Sequence, residues 1–161
     1  MIRAVLVVGW LGLLLLVATA VTGYRIADED ATQQHLALAL FPTGALLFAD
    51  LCVLVYLQGT LRLVRRTSAE LALPPDWLAE RRRLVVLTSI CPAAGAVVLV
   101  FLFGSGFPVF VESWPTWVHH GAFVVAAALH LVFLLHAARA LRRGEERLAA
   151  FGAAAEAAGG R

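Results

Sequence analysis

Four long apolar blocks constrain the fold of this chain more than any other feature of its sequence. They cover about residues 4–24, 36–60, 84–104 and 117–138. A block of about 20 apolar residues is long enough to cross a membrane as a helix. Hydrophobic residues make up 61% of the chain, against roughly 45–50% in soluble domains. The sequence therefore predicts an all-α integral membrane protein, a bundle of four transmembrane helices.

These blocks leave little chain for a soluble domain. Residues 1–147 are predicted to form a single four-span domain, and the alanine- and glycine-rich residues 148–161 a low-complexity, frayed cytoplasmic tail. A cleaved signal peptide is the alternative for the first block, because Ala18-Thr19-Ala20 resembles a cleavage site. The apolar run continues past that site, which favours a retained first span.

The positions of the arginines predict the orientation of the chain, and all 13 of its basic residues are arginines. Twelve of them lie in the N-terminal segment, the 62–83 connection and the C-terminal segment, whereas Arg25 alone lies in the two opposite loops. Basic residues concentrate in the cytoplasmic loops of membrane proteins. The sequence thus predicts an antiparallel, N-in/C-in bundle in a bacterial-type cytoplasmic (inner) membrane.

The arginine clusters also predict what the protein binds. The net charge of +2 follows membrane sidedness, so it does not indicate nucleic-acid binding. Basic clusters beside a span bind anionic lipid headgroups. Such contacts are predicted for Arg62, Arg65, Arg66, Arg81, Arg82 and Arg83.

Histidines mark the outer ends of two predicted spans. Because helical residues advance about 1.5 Å each, His35, His119 and His120 are predicted to lie at one depth near the outer surface. Haem in helical membrane bundles is held by histidines from facing helices at equal depth. His35 with His119 or His120 is therefore a candidate pair of axial ligands for one b-type haem. The alternative is that these residues are solvated histidines at span ends.

Asp50 and His130 form a deeper polar level. The same rise places Asp50 roughly 21 Å and His130 roughly 18 Å into a hydrocarbon core about 30 Å thick. An ionisable residue at such depth indicates function, because its burial is costly. One interpretation is a proton or ion path, and the other is a hydrogen bond that fixes helix packing. No second histidine lies at this level, which argues against a second haem.

Motifs of soluble enzymes do not occur in the sequence, which has no GxSxG, no HExxH and no glycine-rich phosphate loop. Cys52 and Cys91 both lie in apolar blocks. This placement predicts neither a disulfide framework nor a CxxC site.

In layout, the chain resembles small four-span bacterial membrane proteins, including anchor subunits of respiratory enzymes that hold haem between helices. Short spans with little soluble mass suit a non-catalytic anchor or accessory subunit that packs with other membrane subunits or with copies of itself. That role is the leading prediction. The first alternative is an electron-transfer subunit with one b-type haem between the second and fourth spans. The second is a small proton or ion transporter that uses Asp50 and His130.

Overall fold

The computed structural model describes residues 2–23, 29–110 and 113–159, most of which are helical. Within that part of the chain lie four helices, α1 (Ile2–Gly23), α2 (Glu29–Glu70), α3 (Asp76–Phe110) and α4 (Thr116–Gly159). Each is long and apolar enough to cross a membrane. The prediction of an all-helical protein with four candidate spans is therefore confirmed. The loop that holds Arg25 lies outside the described residues.

Each helix of the bundle packs against two neighbours. The pairs are α1 with α2, α2 with α3, α3 with α4, and α4 with α1, whereas α2 and α4 meet sparsely across the diagonal. The core contains mainly aliphatic and phenylalanine side chains, including Leu46, Leu57, Leu99, Phe133 and Leu134. The outward faces are apolar too, since Phe41 is 73% and Val97 70% exposed. Helices that are apolar all round suit a lipid environment.

Two glycines let α1 approach its neighbours closely. A methyl group on Gly9 would lie 2.8 Å from Leu134 of α4, and one on Gly12 would lie 3.0 Å from Leu46 of α2. Small residues at such contacts allow membrane helices to pack backbone against backbone. Larger side chains at these two positions would therefore push α1 away from the bundle.

Helices α2 and α4 are much longer than a bilayer is thick. They have 42 and 44 residues and so extend roughly 63 and 66 Å, about twice a hydrocarbon core of about 30 Å. Their arginine-rich ends pack with the start of α3 in an extension that we name the stalk (62–70, 76–83 and 139–159). In the stalk, the rings of Trp77 and Phe151 meet edge-on with centroids 5.6 Å apart. Arg147 and Glu80 pair at 3.1 Å.

The stalk corrects the prediction for the C-terminal residues. The sequence predicts fraying over 148–161, but α4 continues to Gly159 and Phe151 is 5% exposed. Alanine has the highest helix propensity of all residues, and Phe151 gains burial against Trp77. The alanine-rich composition therefore builds a helix here.

Helix α3 also exceeds its predicted span of about 84–104, because it continues to Phe110. Ser105 lies inside this helix, and its Oγ donates to the Leu102 carbonyl at 2.9 Å. A serine that satisfies its hydroxyl on the preceding turn is compatible with a helix interior. Gly104 and Gly106 consequently do not end the helix.

The turn after α2 holds a non-glycine residue in the left-handed region. Ala72 has φ 48°, and the Leu73 N–H donates to the Ser68 carbonyl at 3.0 Å. This is a Schellman ending, where glycine is preferred because a Cβ is strained at positive φ. We expect Ala72→Gly to stabilise the protein by about 0.5–1 kcal/mol in detergent unfolding. Ala69→Gly, inside α2, should do the opposite, and a lower melting temperature for Ala72→Gly would contradict the strain argument.

Candidate functional site

A chamber of about 230 Å³ lies inside the bundle, where α1 and α3 end and α2 and α4 begin. We name it the histidine chamber, because His35, His119 and His120 all line it. The rest of its wall comes from all four helices and is mainly apolar, with Leu16, Leu36, Leu102, Phe103 and Phe123. The structure thus brings together in one space the three histidines that the sequence singled out.

A hydroxyl of α3 contacts the ring of His119. Its Nδ1 lies 3.0 Å from Ser105 Oγ, and that oxygen donates its own proton to the Leu102 carbonyl. With its one proton on the Leu102 carbonyl, the Ser105 hydroxyl accepts a hydrogen bond from Nδ1–H of His119. In the neutral imidazole the other nitrogen, Nε2, is then bare and able to accept a hydrogen bond or bind a metal.

His35 makes an equivalent contact with a hydroxyl of α1. Its Nδ1 lies 3.3 Å from Thr22 Oγ1, which donates to the Thr19 carbonyl at 2.7 Å. By the same count of protons, Thr22 accepts from Nδ1–H, and Nε2 of His35 is bare. In this arrangement of protons, the hydroxyls of α1 and α3 place the same tautomer on the two imidazoles. A ring nitrogen oriented by a neighbouring group is typical of histidines that act as ligands.

Glycines make room for these rings. The His35 ring lies against Gly23, with its Cε1 only 2.8 Å from where a methyl group on that glycine would sit. The His119 Cε1 lies 3.5 Å from the corresponding point on Gly106. A side chain at position 23 would therefore displace His35, whereas alanine at position 106 would only touch His119.

His120 occupies the chamber wall beside His119. The centroids of the two rings are 6.5 Å apart, with the planes inclined by 55°. His35 and His120 both lie within electrostatic range of His119. His136, further along α4, is exposed and apart from the residues that line the chamber.

The chamber contains two imidazoles that could bind haem iron, but its volume is small. Two imidazoles with bare Nε2 atoms are suitable axial ligands for haem iron. The volume of about 230 Å³ is below the roughly 300–1,000 Å³ of pockets for drug-sized ligands, and a porphyrin is a large ligand. Among the residues that the structure describes, no three His, Cys, Asp or Glu residues are placed to hold a metal ion.

A separate polar contact joins α2 and α4 across the diagonal. His130 Nε2 lies 3.0 Å from Asp50 Oδ2, and both side chains are almost fully buried. His130 Nδ1 lies 2.8 Å from the Ala126 carbonyl. Because a carbonyl can only accept, Nδ1 carries a proton. A single further proton is then shared between Nε2 and Oδ2, so the pair is neutral overall.

Gly95 of α3 covers the ring of His130. A methyl group on Gly95 would lie 2.7 Å from Cε1 and 3.1 Å from Nε2 of that ring. The other carboxylate oxygen of Asp50, Oδ1, is buried and has no hydrogen-bond partner among the described residues. The pair lines neither the histidine chamber nor the pocket in the stalk.

Arg81, one of the arginines with a predicted headgroup contact, is buried between two helices. Its side chain is 6% exposed, and its Nη2 donates to Thr60 Oγ1 of α2. It therefore joins α2 and α3, because the start of α3 turns it inward. The other arginines for which headgroup contacts were predicted are exposed, namely Arg62, Arg65, Arg66, Arg82 and Arg83. Arg66 pairs with Glu70 at 2.7 Å.

Sequence reasoning missed the groups that orient the imidazoles. Thr22 and Ser105 lie 13 and 14 residues from their histidines along the chain, and each acts from another helix. Gly23 and Gly95 likewise act across a helix contact. The local signal available for them was a hydroxyl or glycine residue inside an apolar block.

Comparison with known proteins does not assign this chain to a family. The chain matches no protein-family model, no curated protein and no solved structure at a significant level. Its function therefore has to follow from the chamber, the buried pair and the stalk.

Proposed function

We propose that the chain is a multi-pass protein of a bacterial-type cytoplasmic membrane, with an antiparallel bundle and both termini in the cytoplasm. The distribution of arginines supports this orientation. The contacts of α1 support the antiparallel order, because Gly12 lies against Leu46 and Gly23 against His35. As residue numbers rise along α1, those of its partners on α2 fall.

The function that this architecture supports best is a non-catalytic anchor or accessory subunit of a larger membrane complex. The stalk is the main structural support for this proposal. It lies at the arginine-rich, cytoplasmic end of the bundle and has a packed interior with Val64, Arg81 and Phe151. Its surface exposes charged side chains of both signs. A packed helical projection of this kind suits docking of another subunit, or of a second copy of the chain.

Charge reversal on the stalk tests the docking role. Glu145 and Glu146 are exposed on α4, so Glu145→Arg with Glu146→Arg should leave the bundle folded. Adding positive charge to this end also keeps the predicted orientation. We expect the wild-type chain, extracted in mild detergent, to run on native gels as a stoichiometric assembly that the double variant loses by more than half.

The control for this experiment changes the lipid-facing surface instead. Phe41→Ala removes a side chain that is 73% exposed and should leave the assembly intact. A wild-type chain that is stable and solitary under the same extraction would contradict the anchor role. An assembly made of copies of this chain alone would identify the partner as a homo-oligomer.

The two other candidates fit the geometry less well. An electron-transfer subunit with haem b between α2 and α4 is favoured by the His35 and His119 donors but opposed by the small chamber. A proton or ion transporter based on Asp50 and His130 is opposed by the near-complete burial of both side chains. The pair suits the second interpretation of the sequence, a contact that fixes helix packing.

A further inference from the structure

The histidine chamber has room for one aromatic ring. Its volume is about 230 Å³, and an apolar cavity of about 150 Å³ is enough to hold benzene. Phe103 and Phe123 lie in its wall, where aromatic faces and edges can pack against such a ring. By size alone, the chamber selects a substituted single ring over a macrocycle.

The oriented histidines make the chamber an acceptor of hydrogen bonds. With the hydroxyl protons of Thr22 and Ser105 on backbone carbonyls, Nδ1 of His35 and of His119 carries the ring proton and Nε2 is bare on both. These hydroxyls have already given their own protons to backbone carbonyls. Thr19, also in the wall, likewise donates to the Leu15 carbonyl at 2.8 Å. A complementary guest therefore brings two O–H donors, one for the imidazole on α2 and one for that on α4.

The surroundings of the chamber indicate that the guest has an apolar tail. The chamber lies within the four-helix bundle, close to the ends of candidate membrane spans. Its wall is partly open, since Phe103 is 39% exposed and Thr116 is exposed as well. A chain attached to the ring can leave past these two residues along the apolar outer surface.

We propose that the histidine chamber binds the reduced head of a membrane quinone, a para-dihydroxy ring on an apolar tail. The two hydroxyl groups donate to Nε2 of His35 and Nε2 of His119, while the ring packs between Phe103 and Phe123. The site lies at the opposite end of the bundle from the stalk. The proposed quinol binding is therefore independent of the proposed anchoring role.

The oriented imidazoles give the chamber a preference for the reduced ring. An oxidised quinone offers two carbonyl oxygens, which cannot bond to bare nitrogen acceptors, whereas a quinol donates to both of them. Two neutral hydrogen bonds correspond to at least about a tenfold difference in affinity. The reduced form should bind more tightly by that factor.

Direct binding to the full-length protein in lipid nanodiscs tests this. The probes are decylubiquinol, kept reduced without oxygen, and decylubiquinone, with calorimetric titration as the readout. The tail-free ring, 2,3-dimethoxy-5-methylhydroquinone, forms a third arm. We expect one decylubiquinol per chain, at least about tenfold weaker binding of the oxidised form, and weaker binding of the tail-free ring. Tail-free binding as tight as that of decylubiquinol would overturn the assignment to a membrane-borne ligand.

Two sets of variants check the geometry. His35→Ala and His119→Ala should each weaken decylubiquinol binding about fivefold, while His136→Ala, exposed on the same helix as His119, should not. Ser105→Ala keeps the His119 ring but frees its tautomer, so it should reduce the preference for the reduced form severalfold. Unchanged melting temperatures show that each variant is folded.

Several results would overturn the proposal. These are equal binding of the two redox forms, no binding of decylubiquinol to the wild type, and equal losses in His35→Ala and His136→Ala. Added haem that gives a two-histidine absorption spectrum, lost in both His35→Ala and His119→Ala, would replace the quinol with haem b. None of these results bears on whether the stalk docks a partner.

Discussion

Replacing Asp50 with alanine should lower the free energy of unfolding by about 2 kcal/mol. Breaking a buried charged pair in soluble proteins costs roughly 3–5 kcal/mol. Hydrogen bonds between membrane helices average about 0.6 kcal/mol, with a maximum of about 1.7, because freed groups find other partners. His130 is 1% exposed and is also fixed to the Ala126 carbonyl. It has little freedom to find another partner, so we expect a loss near the upper end of the membrane range.

Asp50→Asn distinguishes between two locations of the shared proton. A protonated carboxyl would donate from Oδ2 to the bare Nε2 of His130 and leave Oδ1, which is unpartnered among the described residues, uncharged. This arrangement avoids a buried unpaired negative charge. An asparagine amide can donate to the same nitrogen, so Asp50→Asn should cost less than about 1 kcal/mol. A loss as large as that of Asp50→Ala would instead indicate a carboxylate paired with imidazolium.

Equilibrium unfolding in mixed micelles measures these losses, and Leu51→Ala is the matched control. Leu51 is 59% exposed and adjacent to Asp50 in sequence, so its truncation should change stability by less than about 0.5 kcal/mol. The same Asp50→Asn protein in liposomes tests the transporter alternative. Proton flux that disappears in this variant would support transport, and no wild-type flux is expected from a contact that only fixes packing.

Most of the fold could be predicted from the sequence, because the hydrophobicity of a span and the charge of its flanks are local properties. Apolar blocks identify candidate spans without any knowledge of their neighbours. Helix ends were less predictable, since they depend on partners. Phe151 orders the last turns of α4 by packing on Trp77, which lies 74 residues earlier in the chain (151 − 77). The sequence likewise predicts that Arg81 is solvated, because its partner Thr60 lies on another helix, α2.

The candidate site, like the fold, has features that the sequence predicts and features that depend on contacts between helices. Depth along a helix follows from residue number, so the sequence alone assigns Asp50 and His130 to one level. Rotation about the helix axis and the choice of neighbours do not follow from it. Ser105 contacts Nδ1 of His119 because α3 presents that hydroxyl to α4. No pattern within either helix encodes such a pairing.

Gly95→Ala should destabilise the bundle by about 2 kcal/mol or more, although alanine is the better helix former by about 1 kcal/mol. The added methyl group would lie 2.7 Å from His130 Cε1 and 3.3 Å from Nδ1. The ring cannot yield, because one nitrogen is bonded to the Ala126 carbonyl and the other to Asp50. The substitution therefore has to break the Asp50–His130 contact or separate α3 from α4.

A double-mutant cycle with His130→Ala isolates this cause. Once the imidazole is gone, the methyl group at position 95 enters the vacated space, so Gly95→Ala should become stabilising by about 0.5–1 kcal/mol. Gly104→Ala is the matched control, since nothing lies within 4 Å of a methyl group there. It should be mildly stabilising in both backgrounds. Gly95→Ala losses of equal size with and without His130 would mean that the glycine is required by the α3 backbone itself, and not by the ring that lies on it.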